Sequence, residues 1–501
     1  MIVPPFIAEL PRLPKPYAMR DWRAVAQGYT RLALSEKGGA EYLPLMWHDG
    51  DALGLPSYVG HPEMKGGADH EAITVLGTLL GGSLVGADVA RYVPGAANYF
   101  SPEDGVTLNR TRTRSGVTFW YEIFPSILLA QLADKTPGWK EGKDLAKRQA
   151  ERWGGAIRAM GLDFNHTAFD LRKMAPFDNG VWREPDAAAG LAYLELGAGR
   201  IGDARSALDA LQKMTANPLY EVLMSYGALA AARMNAEHGT AYDVPRFVDW
   251  CLEPGPTRPG WGMVRGRWGG YDAGGLIGST LDWGGYAFAM DTFVLGGNLA
   301  PLARYDDRFS AAVGRWFLNA ANASRLFYGV DLPEDHRSTP DWKGDPDAVI
   351  PYEGLKKEWK GLSPVATGDP TAFGWAKTDR CLYGAGFAGL FGAIVHTTDV
   401  PRILRLDLRA ADFFAPNAYP TDLLWNPYKE SKTVILDLGV RPVRLWDAVG
   451  NRELAAKAHG KYRLSLKGDQ AVQLVQIPLG AKLLRKEGRL VADGKTVDFR
   501  L

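Results

Sequence analysis

The stretch ADHEAITVLGTLLGGSLV, Ala68 to Val85, is apolar on all sides once past its first turn. A helix with no wet face belongs inside a body of other helices, not on its surface. Its neighbours along the chain share this character or complement it. Asp21 caps a helix reading WRAVAQGYTRLALSEK, with Trp22, Val25, Tyr29 and Leu32 on one face and Gly38-Gly39 ending it. Phe119 to Ala133 is apolar and Lys140 to Met160 more charged; Asp186 to Leu196 is small and apolar and Asp203 to Met214 amphipathic. Leu219 to Glu237 is apolar again, Val244 to Cys251 closes that series, and Trp283 to Leu295, Asp307 to Phe327 and Arg380 to His396 resume it.

Apolar helices alternating with amphipathic ones predict two concentric helix layers, the inner buried on both sides and the outer with one wet face. An (α/α)6 toroid of helical hairpins, at roughly 30 residues per helix with its loop, needs on the order of 360 residues. Asp21 to Asp399 is about that long. The long polar segment Gly329 to Lys377 carries Trp342, Tyr352, Trp359 and Trp375 and reads as an ordered lid or cleft wall. After Pro401 the character changes: ILRLDLR, DLLWNPY, KTVILDLG, PVRLWDAV, YRLSL, AVQLVQIP and KTVDFRL read as short alternating strands. The expected fold is therefore mainly α, a toroid over residues 1–400 followed by a small antiparallel β-sandwich over residues 401–501.

Lys and Arg total 58 against 57 Asp and Glu, with no block of like charge at either end, so nucleic acid and membrane surfaces have little electrostatic support as partners. No apolar run is long enough to span a bilayer, so no membrane insertion is expected, and MIVPPFIAELPRLPKPY is too rich in proline for a secretory leader. The compartment stays open, periplasmic or secreted if a leader was removed and cytoplasmic otherwise, as does the oligomeric state. Cys251 and Cys381 lie far apart outside any paired metal-ligand spacing, and no cofactor or metal is expected. The 16 Trp, 20 Tyr and 58 Gly supply flat apolar rings and close backbone approach, which fit carbohydrate handling as well as they fit a large core.

The tail PVRLWDAVGNRELA followed by GKYRLSLKGDQAVQLVQIP resembles the small C-terminal β-sandwich of many glycoside hydrolases. There a strand carries a Leu-Trp/Tyr-Asp element, a Gly-Asn turn follows, and the last strand runs apolar. The helical body is similar to the six-hairpin glycosidases, the (α/α)6-toroid superfamily of carbohydrate-active enzymes. The resemblance is one of architecture, with no family motif matched residue by residue. It implies a carbohydrate substrate and a cleft at one end of the toroid, lined by carboxylates and aromatic rings. The same architecture serves polysaccharide lyases and some epimerases.

Glycoside hydrolysis needs two carboxyl groups across the scissile bond. Asp282, before Trp283 in GSTLDWGGY, is the first candidate, with a plain helix N-cap as its structural alternative. Asp272, after the first of two Trp-Gly-Gly-Tyr copies, is the second, with an Asx-turn as alternative. Glu184 and Asp186 in VWREPDAA open a small-residue helix, where capping competes with catalysis. Glu122 in TFWYEIFPS sits in an aromatic run, where an ion pair to Arg110, Arg112 or Arg114 is the bland reading. His166 and Arg267 are candidate substrate contacts, and Trp261, Trp268, Tyr271, Trp283 and Tyr286 the candidate stacking rings. Capping is the default for Asp69-His70-Glu71, and Asp341, Asp345, Asp347 and Glu353 read as a solvated loop. Two rival functions remain: a lyase using His166, Tyr226, Arg265 and Arg267 on a uronate-containing glycan, and a non-catalytic glycan-binding protein.

Overall fold

The computed structural model describes residues 1–61, 71–180 and 182–501, so Asp69 and His70 lie outside the described residues. The helices that build the body are α1 (Trp22–Ala33), α2 (Ala72–Leu84), α3 (Val93–Ala97), α4 (Trp120–Lys135), α5 (Lys140–Met160) and α6 (Ala187–Gly197). They continue with α7 (Ile201–Lys213), α8 (Leu223–His238), α9 (Val244–Trp250), α10 (Ala289–Tyr305), α11 (Ser310–Ala323) and α12 (Ala388–Ile394). Helix α2 packs on α4, α4 on α6, α6 on α8, α8 on α10 and α10 on α12, which returns to α2. Helices α1, α5, α7 and α9 lie over these and bury one side each, and α11, covered from outside by the β-sheet, is buried all round except at Arg315.

Burial follows the sequence pattern. In α10 every residue is buried, and in α2 every residue from Ala72 to Gly82 is. The Gly-Gly pair in the opening stretch has a packing reason. A Cβ at Gly81 would stand 2.0 Å from the carbonyl oxygen of Gly386, so only glycine lets the turn leading into α12 touch the α2 backbone.

Two expected helices break up. Asp307 to Phe327 becomes a 3-10 turn, α11 and a second 3-10 turn, and Arg380 to His396 becomes a short helix Leu382–Ala385, α12 and a strand. A third begins later than expected. Asp282–Gly284 is a 3-10 turn, Trp283, Gly284 and Gly285 take φ of 56°, 69° and 140°, and the chain enters a strand before α10 starts at Ala289. Asp282 therefore caps no α-helix.

That strand, β3 (Tyr286–Phe288), is central in a five-stranded antiparallel sheet with β1 (Trp261–Met263), β2 (Ile277–Ser279), β4 (Gly354–Lys356) and β5 (Val365–Thr367), in the order β5-β4-β3-β2-β1. Tyr286 pairs with Ser279 on one side and Lys356 on the other. The long polar segment is thus tied into structure through β4 and β5.

From Val395 the chain is antiparallel sheet. Strands β6 (Val395–Thr397), β7 (Leu404–Asp407), β8 (Thr421–Trp425), β10 (Val443–Asp447), β11 (Arg452–Ala458) and β13 (Ala471–Pro478) form a six-stranded sheet in the order β6-β7-β8-β13-β10-β11. The pair β9 (Lys432–Asp437) and β12 (Lys461–Leu466) encloses Val434, Leu436, Leu464 and Leu466 with Leu424 and Leu474 of that sheet. The sheet meets the helical body at α11, where Trp425 covers Gly314 and the Gln473 amide donates to the Ser310 hydroxyl at 2.8 Å. No helix among the described residues is long and apolar enough to cross a membrane.

Candidate active site

Glu71 precedes α2, Tyr121 lies in the first turn of α4, Tyr220 and Glu221 precede α8, and Phe288 precedes α10; all line one cleft of about 560 Å³. The N-terminal ends of the inner helices therefore meet at this opening, each bringing unpaired N–H groups and the positive end of its dipole. The sheet closes one wall with Trp261, Ser279, Asp282 and Tyr286, and the long segment adds Glu353, Asp369 and Trp375. Ser57, Tyr58, Tyr383, Arg110 and His61 complete the lining.

Glu353 stands just before β4, 4% exposed. The Tyr58 hydroxyl donates to its Oε1 at 2.7 Å, and the Tyr286 hydroxyl and the Asp369 N–H (2.8 Å) donate to its Oε2. Burial pushes its pKa up to about 7 against the pull of these donors. The hydrogen bonds favour the carboxylate, and among the described residues no cation touches it. Beyond it, buried Lys356 faces Asp369 at 3.5 Å and the Trp283 ring at 3.8 Å.

Glu221 is half-buried and has a φ of 51°, a left-handed backbone that costs a non-glycine residue about 1 kcal/mol or more. Burial, offset by the Tyr220 hydroxyl and Arg258, raises its pKa to about 7, and Glu184 and Glu353 add repulsion. Arg258 is shared: its guanidinium lies 3.6 Å from the Tyr220 ring centroid and 3.3 Å from Glu184 Oε1.

Glu184 thus stands behind the cleft wall, accepting the Trp120 N–H at 2.8 Å, and burial raises it to about 7. Asp186 is fully buried beside it and accepts the Tyr220 N–H at 3.1 Å. Burial, then Glu184, push Asp186 well above the carboxylate range.

The other residues singled out from sequence separate. Asp282 is exposed at the cleft rim, and Trp261 and Tyr286 line the wall, Trp261 edge-on to Tyr220 at 5.5 Å. Trp283 is exposed in the same turn but turns its face to Lys356. Asp272 is not among the lining residues: it accepts the Lys15 N–H at 2.5 Å and Arg267 Nη1 at 3.3 Å, which ties the N-terminal segment to a hairpin and occupies Arg267 as well. Trp268 is buried against Gly285, where a Cβ would come within 2.9 Å of the ring, so the two Trp-Gly-Gly-Tyr copies pack on each other. Tyr271 donates to the Asp331 carbonyl, outside the cleft lining.

His166 is held by Asp178 at 3.1 Å, Arg265 pairs with Glu9 at 3.1 Å, and Tyr226 is buried against Tyr193. The lyase set is therefore not assembled. Glu122 lines a side cavity of about 310 Å³ that shares Glu71, Arg110 and Tyr121 with the cleft. Its Oε1 accepts the Val117 N–H at 2.8 Å, its Oε2 has no hydrogen-bond partner among the described residues, and burial holds it well above the usual range. Of the three arginines expected as its partner, Arg110 faces Glu71 at 3.5 Å instead.

Glu221 escaped the sequence reading, and Glu353 was assigned to a solvated loop. Asp345, from the same loop, is buried too and accepts the Val349 and Ile350 N–H groups. A signal existed: both glutamates follow a tyrosine, in LYEVL and PYEGL. Among the described residues no group of three or more His, Cys, Asp or Glu side chains is placed to hold a metal ion.

Comparison with solved structures finds a glycoside hydrolase at 10% identity and TM-score 0.35, over 84% of this chain and 76% of that one. It also finds a GH127 β-arabinofuranosidase at 10% identity and TM-score 0.35, over 97% and 84%. No family model and no curated protein matches the chain.

Proposed function

We propose that the chain is a glycoside hydrolase, with the cleft at one end of an (α/α)6 toroid spanning residues 1–400 and a β-sandwich over residues 401–501. The toroid reading is supported by the succession α2, α4, α6, α8, α10, α12 and back to α2, with outer helices between. The reaction reading rests on one observation: Glu221 and Glu353 face the same aromatic cleft, both with their pKa raised to about 7, and among the described residues no cation is in contact with Glu353.

In this proposal Glu353 is the carboxylate, because the two tyrosine hydroxyls and the Asp369 amide stabilise its charged form. Glu221 is the general acid, delivering a proton to the leaving glycosidic oxygen as the bond to the anomeric carbon breaks. Glu353 then stabilises the oxocarbenium-like centre, as nucleophile or as base toward water. Trp261 and Trp375 offer apolar rings to the sugar, and Asp282 at the rim accepts hydroxyl hydrogen bonds. Glu184 acts from behind through Arg258.

The cleft carries Glu71, Glu221, Asp282, Glu353 and Asp369 against Arg110 and His61, so it favours uncharged glycans over uronates. The test is turnover of a panel of aryl glycosides and oligosaccharides by the wild type, Glu221→Gln and Glu353→Gln, with folding checked by circular dichroism. Hydrolysis by the wild type and its loss in both variants is the expected result. Wild-type rates in both variants would overturn the assignment, and tight binding without turnover would favour a glycan-binding protein.

A further inference from the structure

Four large apolar side chains stand exposed on two turns at the cleft mouth: Leu281 and Trp283 on one, Phe373 and Trp375 on the other, each between 48% and 65% exposed. Singly such residues are ordinary, but gathered beside a cleft they mark a surface that a ligand covers. The two turns are tied together. Buried Lys356 has the Trp283 ring at 3.8 Å and Asp369 at 3.5 Å, and Asp282, Asp369 and Trp375 line the same cleft.

The turn 369–375 is held at several points. The short helix Asp369–Phe373 ends at Gly374, whose φ of 76° suits glycine, and the chain folds back so that the Trp375 N–H donates to the Pro370 carbonyl at 2.8 Å. Fully buried Asp379 accepts the Thr371 N–H and hydroxyl, both at 2.9 Å, and the Ser338 hydroxyl at 2.5 Å. The Asp369 N–H donates to Glu353, which fixes the turn to the candidate carboxylate itself. On this backbone the Phe373 and Trp375 rings stack on each other, centroids 5.5 Å apart and planes at 28°. Trp375 lines the cleft and Phe373 does not, so the pair carries an apolar surface from the cleft wall outward.

We propose that this rim is an outer glycan subsite: a further sugar of a chain held between Glu221 and Glu353 lies on the Phe373 and Trp375 rings, and the substrate is an uncharged oligosaccharide rather than a single terminal sugar on a small leaving group.

This rests on the hydrolase reading for what happens at Glu221 and Glu353, and not for the binding. The chemistry of the rim selects the occupant. A sugar ring has a face of C–H groups and an edge of hydroxyls; the aromatic rings take the face, and the Asp282 and Asp369 carboxylates accept from the edge. A protein partner needs more surface. Four half-exposed side chains offer on the order of 400 Å², half of the roughly 800 Å² that a stable protein interface buries on each side. Because the turn is already ordered, covering its rings costs little conformational entropy.

The experiment measures binding against chain length. Glu221→Gln, in which turnover is blocked, and the same chain carrying Phe373→Ala are titrated calorimetrically with cello-, xylo- and arabino-oligosaccharides of two to six units. In at least one series affinity is expected to rise about tenfold as the chain outgrows the cleft. Phe373→Ala is expected to remove that rise and leave the affinity for the shortest bound member unchanged, and Phe373→Trp to restore it. Circular dichroism checks that the variants fold, as the exposure of Phe373 leads one to expect. A rise that survives Phe373→Ala, an affinity indifferent to length, or no binding in any series overturns the proposal. A gain seen only on exchanging phenyl for naphthyl glycosides assigns the rim to an apolar aglycone and overturns it too, as does self-association of the wild type that Phe373→Ala abolishes. Length-dependent binding without hydrolysis by the wild type leaves the subsite standing and removes the hydrolase reading; hydrolysis without a length effect does the opposite.

Discussion

Two cavities of nearly equal volume, about 550 and about 560 Å³, lie in the helical body and share Arg110 in their walls. Under the smaller, Asp104 is fully buried, yet each of its oxygens is satisfied. Arg172 reaches it at 2.8 and 3.0 Å, Ser101 Oγ at 2.6 Å and Ser115 Oγ at 2.8 Å. Burial pushes its pKa up, but Arg172 and the serines outweigh that and hold it well below the carboxylate range. In the cleft, Glu353 has tyrosines and an amide but, among the described residues, no cation, and its pKa stays high. Burial alone therefore does not fix how tightly a carboxyl holds its proton; the number and charge of the donors around it decide.

The sharpest way to break the contrast is to neutralise the cleft acids. Glu221→Gln or Glu353→Gln is expected to lower turnover by roughly a thousandfold, within the usual range for acid–base groups, without shifting the melting temperature downward. Asp104→Asn should do the reverse: turnover unchanged, stability lower by about 2 kcal/mol, less than a fully buried pair loses because Arg172 reaches water. Urea unfolding of the two sets would measure the difference.

The same groups predict how stability follows pH. Glu184, Glu221 and Glu353 are raised to about 7 and Glu195 to about 8 in the fold, each from 4.5. Across that interval the folded chain holds more protons than the unfolded one, so stability is greatest near the bottom of the window and falls as pH rises through about 7 to 8. A drop of several kcal/mol in unfolding free energy is expected, and a flat profile would show that water relieves the burial. Asp104 works oppositely, since its depressed pKa adds stability that disappears only in more acidic solution.

The smallest expected effect is at the tyrosines. Tyr58→Phe removes one donor to Glu353, raises its pKa further and shifts the acid limb of the pH–rate profile upward, with about a tenfold loss of rate at neutral pH. An unmoved limb would mean that Tyr58 does not tune Glu353.

Much of the helical body was legible in the sequence because an inner helix is apolar all round wherever its neighbours are. Lys140 to Met160 begins and ends where the pattern placed it, and α2 behaves as its letters require. Pattern failed around Trp283. The letters after Asp282 are as apolar as a helix, but Tyr286 is claimed by Ser279 and Lys356 in a sheet, and no local period records that pairing. The acids fared likewise. Asp282, Asp272, Glu184 and Glu122 share the local features of a catalytic acid, but an arginine and a main-chain N–H take Asp272 and Glu184, and Glu122 opens on a side cavity.

What the sequence determined by itself is what short-range chemistry decides: which segments are helical, which have no wet face, and that the chain turns to strands after α12. Only the tertiary structure decided which acids meet. Glu221 and Glu353 are brought together by a helix start and a strand start far apart in the chain, and whether each keeps its proton depends on the donors and charges packed around it. That surrounding is a property of the assembled site and of no residue in it.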